Sequence, residues 1–426
     1  MAFEIGDLSQ AIKAKIVDKC GTRDYWENWA TDIAKIAQRH ISRLNTILVK
    51  KNSLQRKVFD SFLEEIRDDL NPEITENDAI EMLAQHIITK PVFDTLFQGN
   101  EFTKDNAISK AMHNVLSKIY ETNIEVESKT LKKFYDSIKR RSQGIITSKG
   151  RTTLINELYE RFFKNAFPLT TSKLGIVYTP VEINDFIINS FNDALQNEFG
   201  KTFDDKNIHI IDPFVGTGTF IIRLLQSGLI KKENLSYKYK NEIHANEIIL
   251  LAYYIAGINI ESIYHELLKE NQYQPFKGIV LTDTFQLYEQ ERDMIANLLP
   301  DNSNKRTRQK KINLRVIIGN PPYSAKQSSM NLDAANISYK NLDYKIERTY
   351  ALASAAVNKN SLYDSYIRAF RWASDRIGDE GVIGFVTGAA WIDRNFADGL
   401  RKFHYDEFSS IFIINLRGDI RKNMLS

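Results

Sequence analysis

The stretch from Val316 to Tyr323 constrains the fold of this chain most strongly. It reads VIIGNPPY, in which apolar β-branched residues run into a glycine, an asparagine, two prolines and a tyrosine. The apolar run predicts the end of a buried strand, and Pro321 and Pro322 stop that strand because proline donates no ladder hydrogen bond. A stiff turn with one amide and one aromatic ring therefore follows the strand. Ligands of open α/β sheets bind at that carboxyl edge.

Asn320 and its neighbours suit the activation of an amine attached to an aromatic ring. Such an amine is a poor nucleophile because its lone pair is delocalised into the ring. Two acceptors against its two hydrogens, the Asn320 side-chain oxygen and the Pro321 carbonyl, can pull the nitrogen toward tetrahedral geometry, and Tyr323 can stack on the ring. Taken alone, the tetrapeptide is equally typical of a strand terminator with an incidental tyrosine.

Length and composition bound the class of protein. A chain of 426 residues is too long for one ordinary core and predicts two or three domains. Apolar residues make up 43% and charged residues 26%, which is typical of a soluble globular protein. The sequence contains neither a long apolar run nor a secretory signal, so we expect no membrane span. The single cysteine, Cys20, excludes an internal disulfide and a cysteine-rich zinc site, and fits a reducing, cytoplasmic setting.

The chain divides into a helical part and an α/β part. Residues 1–165 predict an all-helical accessory domain, because apolar residues recur at helical spacing, as in Val58, Phe62, Leu63 and Ile66. This part contains no glycine-rich phosphate loop, no metal-ligand spacing and no nucleophile with an obvious base. Residues 166–426 predict a second domain with buried strands and the candidate site.

A strand, a glycine turn and a helix follow one another near the start of the second domain. The β-branched run Ile208 to Ile211 ends at Asp212, and Gly216 and Gly218 then open a helical run. This order is typical of a nucleotide-type site, but the turn is neither a phosphate-cradling loop nor the full three-glycine dinucleotide fingerprint. Asp212 would repel a pyrophosphate and suits a positively charged ligand, such as the ammonium group of an amino acid moiety.

Acids also end the next two predicted strands. The strand Glu242 to Asn246 ends at Glu247, which can hold ribose hydroxyls, and the strand Gly278 to Leu281 ends at Asp283, which can accept from an adenine amino group. Each acid alone is more typical of a protein surface. Three acids at three successive strand ends indicate a ligand site.

The upstream turn Tyr178-Thr179-Pro180 predicts a helix start, with Thr179 as the cap and Pro180 at the first helical position.

After the organising strand, the segment up to about residue 360 is polar and predicts a long loop. An amphipathic helix is predicted over Ser361–Ile377. Two further strands are predicted over Gly381–Thr387 and Ser410–Leu416.

One short basic segment precedes the organising strand in this mildly basic chain, whose formal net charge is +3. Its cations are Lys305, Arg306, Arg308, Lys310 and Lys311. Such a cluster predicts contacts with DNA phosphates, although a solvated loop is the more common origin of any single cluster.

The motifs YTP, DPFVGTG, NEI, TDTF and NPPY, in this order, resemble the adenine-N6 DNA methyltransferases that place their first motif upstream of the glycine turn. The similarity runs from about Leu174 to Leu416. The segments AQHIITKPVFDTLF, LKKFYDSIKRRSQGI and NKNSLYDSYIRAFRWASDRIG also resemble the coupler and methyltransferase parts of type ISP restriction-modification enzymes. The resemblance implies an α/β fold, a seven-stranded Rossmann-like methyltransferase sheet preceded by an all-helical coupler.

The resemblance also implies the cofactor, S-adenosyl-L-methionine, and a role for each motif residue. The residues implied to hold the cofactor are Tyr178, Thr179, Pro180, Asp212, Pro213, Phe214, Gly216, Gly218, Glu247, Ile248, Asp283 and Asn320. The residues implied to act on a flipped adenine are Asn320, Pro321, Pro322 and Tyr323. Among them, Glu247 would take the ribose hydroxyls, Ile248 would pack on the cofactor's adenine, and Asp283 would take its amino group. No metal is implied.

Double-stranded DNA is the implied substrate. Full-length relatives carry a nuclease and an ATP-driven translocase ahead of the coupler, and a target recognition domain behind the methyltransferase. The chain ends before a seventh strand and a recognition domain, so we interpret it as a truncated product or an expressed fragment.

Two alternatives stay open. Release-factor-type glutamine-N5 methyltransferases also join a helical domain to a sheet ending in NPPY, but the YTP motif, the DPF turn and the long segment after NPPY count against them. The other alternative is a non-catalytic coupling and DNA-binding piece of a larger restriction enzyme.

Overall fold

The structure, a computed structural model, describes residues 23–96, 105–120, 179–269, 272–289, 297–322 and 338–416. Tyr178 and Tyr323, which the sequence assigns to the candidate site, lie outside these residues.

The N-terminal part is helical in its described ranges. Its helices are α1 (Arg23–Leu48), α2 (Leu54–Asp69), α3 (Glu76–Leu96) and α4 (Ala107–Ile119). Polar side chains start two of them, because Ser53 Oγ accepts from the backbone N–H of Arg56 and Asn106 Oδ1 accepts from that of Ser109. Of the predicted apolar stripe of α2, Phe62, Leu63 and Ile66 are buried and Val58 is half-buried. The helical character predicted for this part is thus confirmed where it is described.

Among the described residues, five parallel strands form the sheet of the second part. They are β1 (His209–Asp212), β2 (Ile243–Glu247), β3 (Ile279–Leu281), β4 (Leu314–Gly319) and β5 (Val382–Phe385), in the order β3-β2-β1-β4-β5. The chain builds outward from β1 in one direction and then returns to add β4 on the other side of β1. The carboxyl ends of β1 and β4 therefore flank the point where the strand order reverses, which is the position of the ligand crevice in such sheets.

Helices cover both faces of this sheet. They are α5 (Val181–Phe199), α6 (Thr219–Gln226), α7 (Lys232–Asn241), α8 (Leu250–Leu268), α9 (Pro300–Lys310), α10 (Lys340–Ile346), α11 (Ser365–Ile377), α12 (Ala390–Asp393) and α13 (Asp398–Glu407). Successive residues of β1 point to opposite faces of the sheet and belong to two hydrophobic cores. Ile210 belongs to the core that includes α8 and the N-terminal helices, whereas Ile211 belongs to the core that includes Trp372 of α11. None of the helices in the described ranges is long and apolar enough to cross a membrane.

The first five predicted strands are confirmed to within two residues at either end, but the predicted strand Ser410–Leu416 is wrong. That segment forms no strand, and its apolar side chains, such as Phe412, are exposed. An apolar β-branched composition cannot make a strand unless a neighbour completes the ladder. The implied seventh strand lies outside what the described residues test.

Part of the predicted loop after the NPPY turn is wrong as well. Residues 340–351 form α10 and a π-helical turn, Glu347–Ala351, rather than loop. Their apolar side chains Leu342, Ile346 and Tyr350 are buried, so packing fixes a helix that the polar composition concealed.

The C-terminal end of α2 attaches the helical part to the sheet domain through buried acids. The Glu65 carboxylate accepts from the backbone N–H groups of residues 297–299 at 2.9 Å, immediately before α9. An anion at this position satisfies the backbone N–H groups that lead into α9 and lies at the positive end of the helix dipole. Asp69 accepts from Asn302 Nδ2 at 2.6 Å, and its backbone oxygen accepts from Thr282 Oγ1 at 2.8 Å.

Arg306 completes this interface, so its predicted role in binding DNA phosphates is wrong. Its guanidinium is buried and pairs with the carboxylates of Asp68 and Asp69, where no phosphate can reach it. Lys305 is a second correction, because its ammonium donates to the Ile279 carbonyl at 3.3 Å and burial lowers the pKa of its amine to about 8. The basic segment belongs to α9 and is not a solvated loop.

Arg306→Met tests the interface, because methionine keeps much of the side-chain volume but leaves two buried carboxylates without their cation. We expect the free energy of unfolding to fall by about 3–5 kcal/mol at pH 7. The matched variant Arg308→Met changes an exposed arginine of the same helix and should cost no more than about 0.5 kcal/mol. Urea denaturation followed by circular dichroism measures both changes, and equal effects would contradict the assignment.

Candidate active site

The glycine turn after β1 is shaped by two residues with left-handed backbone conformations. Gly216 has φ of +55° and Gly218 has φ of +92°, and α6 starts directly afterwards. The turn is anchored to β2, because the Val215 N–H donates to the Asn246 carbonyl at 3.0 Å and the Gly216 N–H donates to Glu247 Oε2 at 2.9 Å. The DPFVGTG and NEI motifs are therefore directly joined by hydrogen bonds.

Asp212 lies buried at the reversal point of the sheet. Its Oδ1 accepts from the Phe214 N–H at 3.0 Å, and a Cβ atom on Gly319 at the end of β4 would lie 3.0 Å from the same oxygen. Burial raises the pKa of Asp212 to about 8, against the lowering effect of the Phe214 N–H, and the nearby Glu247 carboxylate raises it further. Gly319, which ends β4, thus lets Asp212 approach the NPPY turn.

Glu247 is held by backbone groups on both oxygens. Besides Gly216, the Ile249 N–H donates to Oε1 at 2.9 Å. Burial raises the pKa of Glu247 to about 7, although these N–H groups favour the charged form. The neighbouring Ile248 side chain is exposed, which is the condition for the predicted packing on a flat ligand ring.

Asp283 follows β3 and is buried with both oxygens bonded. Oδ1 accepts from the Phe285 N–H at 2.8 Å and from the Gln286 N–H at 3.3 Å, and Oδ2 accepts from the Tyr339 hydroxyl at 2.8 Å. Burial raises the pKa of Asp283, while the Tyr339 hydroxyl and the two N–H groups lower it. Sequence reasoning missed Tyr339, because it lies in the predicted loop and nothing in its sequence context indicates a partner 56 residues earlier.

Thr284 ties the strand ends to one another. Its Oγ1 donates to the Pro213 carbonyl at 2.6 Å and accepts from Asn246 Nδ2 at 3.2 Å. Phe214 then packs edge-on against Phe285, with ring centroids 5.6 Å apart. The sequence identified the TDTF motif by its aspartate, whereas its second threonine joins the turns after β1 and β3.

The NPPY turn meets the start of α5. Asn320 Nδ2 donates to Thr179 Oγ1 at 3.1 Å, and Asn184 Nδ2 donates to the backbone oxygens of Thr179 and Pro180 at 3.1 and 3.2 Å. The prediction that Thr179 caps α5 is wrong, because Pro180 occupies the N-cap position and no side chain caps the helix. Proline at the first helical position is likewise wrong by one residue, since α5 begins at Val181. The Thr179 hydroxyl binds the Asn320 amide instead.

Asn184 was missed by sequence reasoning. It lies one turn into α5, where its only sequence signal is a buried polar residue among apolar neighbours, and its side chain is inaccessible to solvent. Pro321 is buried and Pro322 half-buried at the same turn.

The described part of the predicted site thus comes together at the carboxyl edge, whereas the basic segment does not. Lys311 precedes β4 at its amino end and Asn320 follows its carboxyl end, so about 20 Å of strand separates them. Arg308 and Lys311 are exposed and Lys310 is half-buried. The predicted phosphate contacts of these three residues stay a prediction.

The polar groups at this edge of the sheet fit S-adenosyl-L-methionine. Three buried carboxylates with raised pKa values form a poor site for a phosphate and a good one for a cationic ligand with hydroxyl and amino donors. The open glycine backbone at Gly216, where an added Cβ would meet nothing within 4 Å, leaves room for close approach. Residues of this chain therefore match the chemistry of that cofactor.

Comparison with family models gives two adjacent matches. The coupler domain of type ISP restriction-modification enzymes matches residues 25–150, and the N-6 DNA methylase family matches residues 151–359. A comparison with curated protein sequences found no match.

Three solved structures are similar over nearly the whole chain. A nuclease-deletion mutant of the type ISP enzyme LlaGI, in complex with a DNA substrate mimic, is 41% identical with a TM-score of 0.86, over 95% of this chain and 33% of its own. The ATP-dependent type ISP enzyme LlaBIII bound to DNA is 43% identical with a TM-score of 0.86, over 94% and 28% respectively. A DrdV–DNA complex is 33% identical with a TM-score of 0.81, over 90% of this chain and 37% of its own.

This chain thus spans only about a third of the length of each of these relatives. The matches confirm the resemblance read from the motifs, and the parallel sheet with its preceding helices is the fold they share. The chain belongs, over residues 25–359, to the type ISP restriction-modification enzymes, as a coupler domain followed by an N-6 DNA methylase domain.

Proposed function

We propose that this chain is the DNA adenine-N6 methyltransferase module of a restriction-modification enzyme. The observation that carries the proposal is the meeting of Asn320 of the NPPY turn with Thr179 at the reversal point of the sheet, beside the buried Asp212. This arrangement puts an amine-binding turn next to a pocket for a cationic ligand. The proposal keeps residues 1–165 as the coupler-like domain and residues 166–426 as the methyltransferase domain.

Asn320 and Pro321 bind the amine of the target adenine. The Asn320 side-chain oxygen and the Pro321 carbonyl accept from its two hydrogens and draw its lone pair out of the ring, and Tyr323 stacks on the base. The Thr179 hydroxyl, by accepting from Asn320 Nδ2, orients the carboxamide so that its oxygen faces the other way. No strong base is needed, because the proton leaves only as the nitrogen becomes positively charged.

The cofactor S-adenosyl-L-methionine supplies a methyl group on a positively charged sulfonium. Tyr178, Thr179 and Pro180 would hold the methionine end, and the turn from Asp212 to Gly218 would line the amino acid portion. Glu247 would hold the ribose hydroxyls, with Ile248 against the adenine ring. Asp283 would accept from the adenine amino group.

Double-stranded DNA is the proposed substrate, because LlaGI was solved in complex with a DNA substrate mimic and LlaBIII was solved bound to DNA. The target base must leave the duplex to reach Asn320, at a cost of a few kcal/mol, and stacking on an aromatic side chain offsets roughly 1–3 kcal/mol of it. In the whole enzyme, nuclease, ATP-dependent translocase and target recognition domains complete the machine. We place it in the cytoplasm, where its substrate lies.

The coupler match favours this function over a glutamine-N5 methyltransferase. A non-catalytic role is separated by the first experiment below, because it predicts no methyl transfer at all.

Asn320→Ala should abolish methylation, because the amine loses one of its two acceptors. The chain and its variant are expressed in a methylation-deficient host, and N6-methyladenine in the host DNA is measured by mass spectrometry. We expect signal from the parent chain and at least about 100-fold less from Asn320→Ala.

The matched control Asn189→Ala removes an exposed asparagine of α5 and should leave the signal unchanged. A parent chain without signal would contradict a self-sufficient methyltransferase, and signal from Asn320→Ala would contradict the role of Asn320.

Cofactor affinity should rise with pH. Asp212 and Glu247 have pKa values of about 8 and 7 and hold protons in the free protein below those values. A cationic ligand favours their charged forms, so its binding releases protons, and affinity should increase from pH 6 until the pH has passed the pKa of Asp212, about 8. Calorimetry of S-adenosylmethionine in two buffers of different ionisation enthalpy measures the release.

Asp212→Asn should weaken binding and reduce the proton release, since one titrating group is gone. Asp193→Asn, at an exposed site on α5, should change neither quantity. A proton release that is identical in Asp212→Asn and the parent would overturn the assignment.

A further inference from the structure

Tyr339 places a hydroxyl group against the carboxylate at the end of β3. The residue directly precedes α10 and is buried, and its hydroxyl donates to Asp283 Oδ2 at 2.8 Å. None of the motifs used to recognise the family contains it. It belongs to the polar stretch in which sequence reasoning predicted only a loop.

Several contacts fix the Tyr339 ring in this position. The ring packs edge-on against Phe285 with centroids 5.2 Å apart, and the Arg368 guanidinium lies 5.1 Å from its centroid. Asp343 holds Arg368 through two hydrogen bonds of 2.8 and 2.9 Å, and it also accepts from the Tyr339 N–H at 3.1 Å. The hydroxyl position is thus set by an aromatic contact, a cation and a backbone hydrogen bond together.

The hydrogen bonds to Asp283 leave one oxygen able to accept more. Oδ1 already accepts from two backbone N–H groups, whereas Oδ2 accepts from the Tyr339 hydroxyl alone among the hydrogen bonds described. A carboxylate oxygen can accept from two donors. A donor such as an exocyclic amine can therefore join Tyr339 at Oδ2 without displacing it.

The charge state of Asp283 depends on the groups around it. Burial raises its pKa, and the Tyr339 hydroxyl, the Gln286 and Phe285 N–H groups and the Arg368 cation lower it. The charged groups facing Tyr339 from α10 and α11 are Asp343 and Arg368, which pair with each other. Removing the hydroxyl therefore shifts Asp283 toward its protonated form, which is the poorer acceptor.

We propose that Tyr339 is a positioning residue of the cofactor site, whose hydroxyl orients Asp283 so that Oδ2 accepts the adenine amino group of S-adenosylmethionine. This inference rests on the proposed function and assigns a residue outside the family motifs to it. A phenylalanine at this position would keep the ring contacts and lose only the hydrogen bond, so the proposed role belongs to the hydroxyl oxygen of Tyr339 alone.

Tyr339→Phe tests it in the full chain by calorimetry of S-adenosylmethionine. We expect about 10-fold weaker binding at pH 7, typical of losing a hydrogen bond to a charged group. The difference should shrink as the pH rises, because a higher pH favours the charged form of Asp283 in both proteins. A purely structural effect would weaken binding equally at all pH values.

Two further variants sharpen the test. Tyr350→Phe removes the hydroxyl of another buried tyrosine, which contacts His404 at 3.4 Å and no site residue, so its cofactor affinity should equal that of the parent chain. In an Asp283→Asn background, Tyr339→Phe should have no further effect on affinity. An unchanged affinity in Tyr339→Phe alone would overturn the inference and leave the proposed function standing, whereas absence of binding to the parent chain would overturn both.

The pair can also be measured without cofactor. Because the pKa of Asp283 is raised in the folded protein, its ionisation costs stability as the pH rises above the ordinary range of an aspartate, and the Tyr339 hydroxyl limits that cost. The difference in Tm between the parent chain and Tyr339→Phe should therefore widen from pH 5 to pH 8. It should stay constant in the Asp283→Asn background, and a constant difference with Asp283 present would overturn the pairing.

Discussion

Burial of three carboxylates at the ends of three adjacent strands is the constraint on which the site depends. Desolvation favours their neutral forms, and each of Asp212, Glu247 and Asp283 is kept in place by backbone N–H groups of the segment that follows its strand. Glu247 also accepts from the Gly216 N–H in the turn after β1. Those hydrogen bonds fix the shape of the turns, and the turns in return hold the acids in position. A cationic ligand would relieve the desolvation cost that the free protein carries, so the site is prepared for one class of ligand.

The helical part supports that site from behind. Asp69 of α2 accepts from Thr282 Oγ1, and Thr282 is the residue before Asp283. Asn302 of α9 bonds to both backbone groups of Leu281 and to Asp69, so the end of β3 is held between the two parts of the chain. The buried acids and one arginine of this interface form hydrogen bonds, which require a defined geometry. They therefore hold the end of the strand more closely in position than apolar packing alone would.

Local sequence signals predicted the strands and their terminal acids, since β-branched runs and the glycine and proline residues that end them act over a few positions. The same signals could not predict Arg306 as an interior cation, because its carboxylate partners lie more than 230 residues earlier in the chain. Tyr339 was missed for a similar reason, as polar neighbours concealed a buried helix start. For the segment 410–416 the error was the opposite one, since a strand was predicted where none forms. A strand also needs a partner strand, which local composition does not specify.

The motif order of this family has a geometric reason in this chain. Thr179 lies far upstream of Asn320 in sequence, yet α5 crosses β5 so closely that a Cβ on Gly384 would lie 2.1 Å from the Phe191 ring. This contact directs the amino end of α5 to the end of β4, where Asn184 holds the Thr179 backbone and the hydroxyl reaches Asn320. A helix that precedes β1 thus supplies the residue that orients the amide after β4. Changing Gly384 of β5 to a larger residue would push α5 away from the sheet, and would move Thr179, just before α5, away from Asn320, just after β4, without contacting either residue.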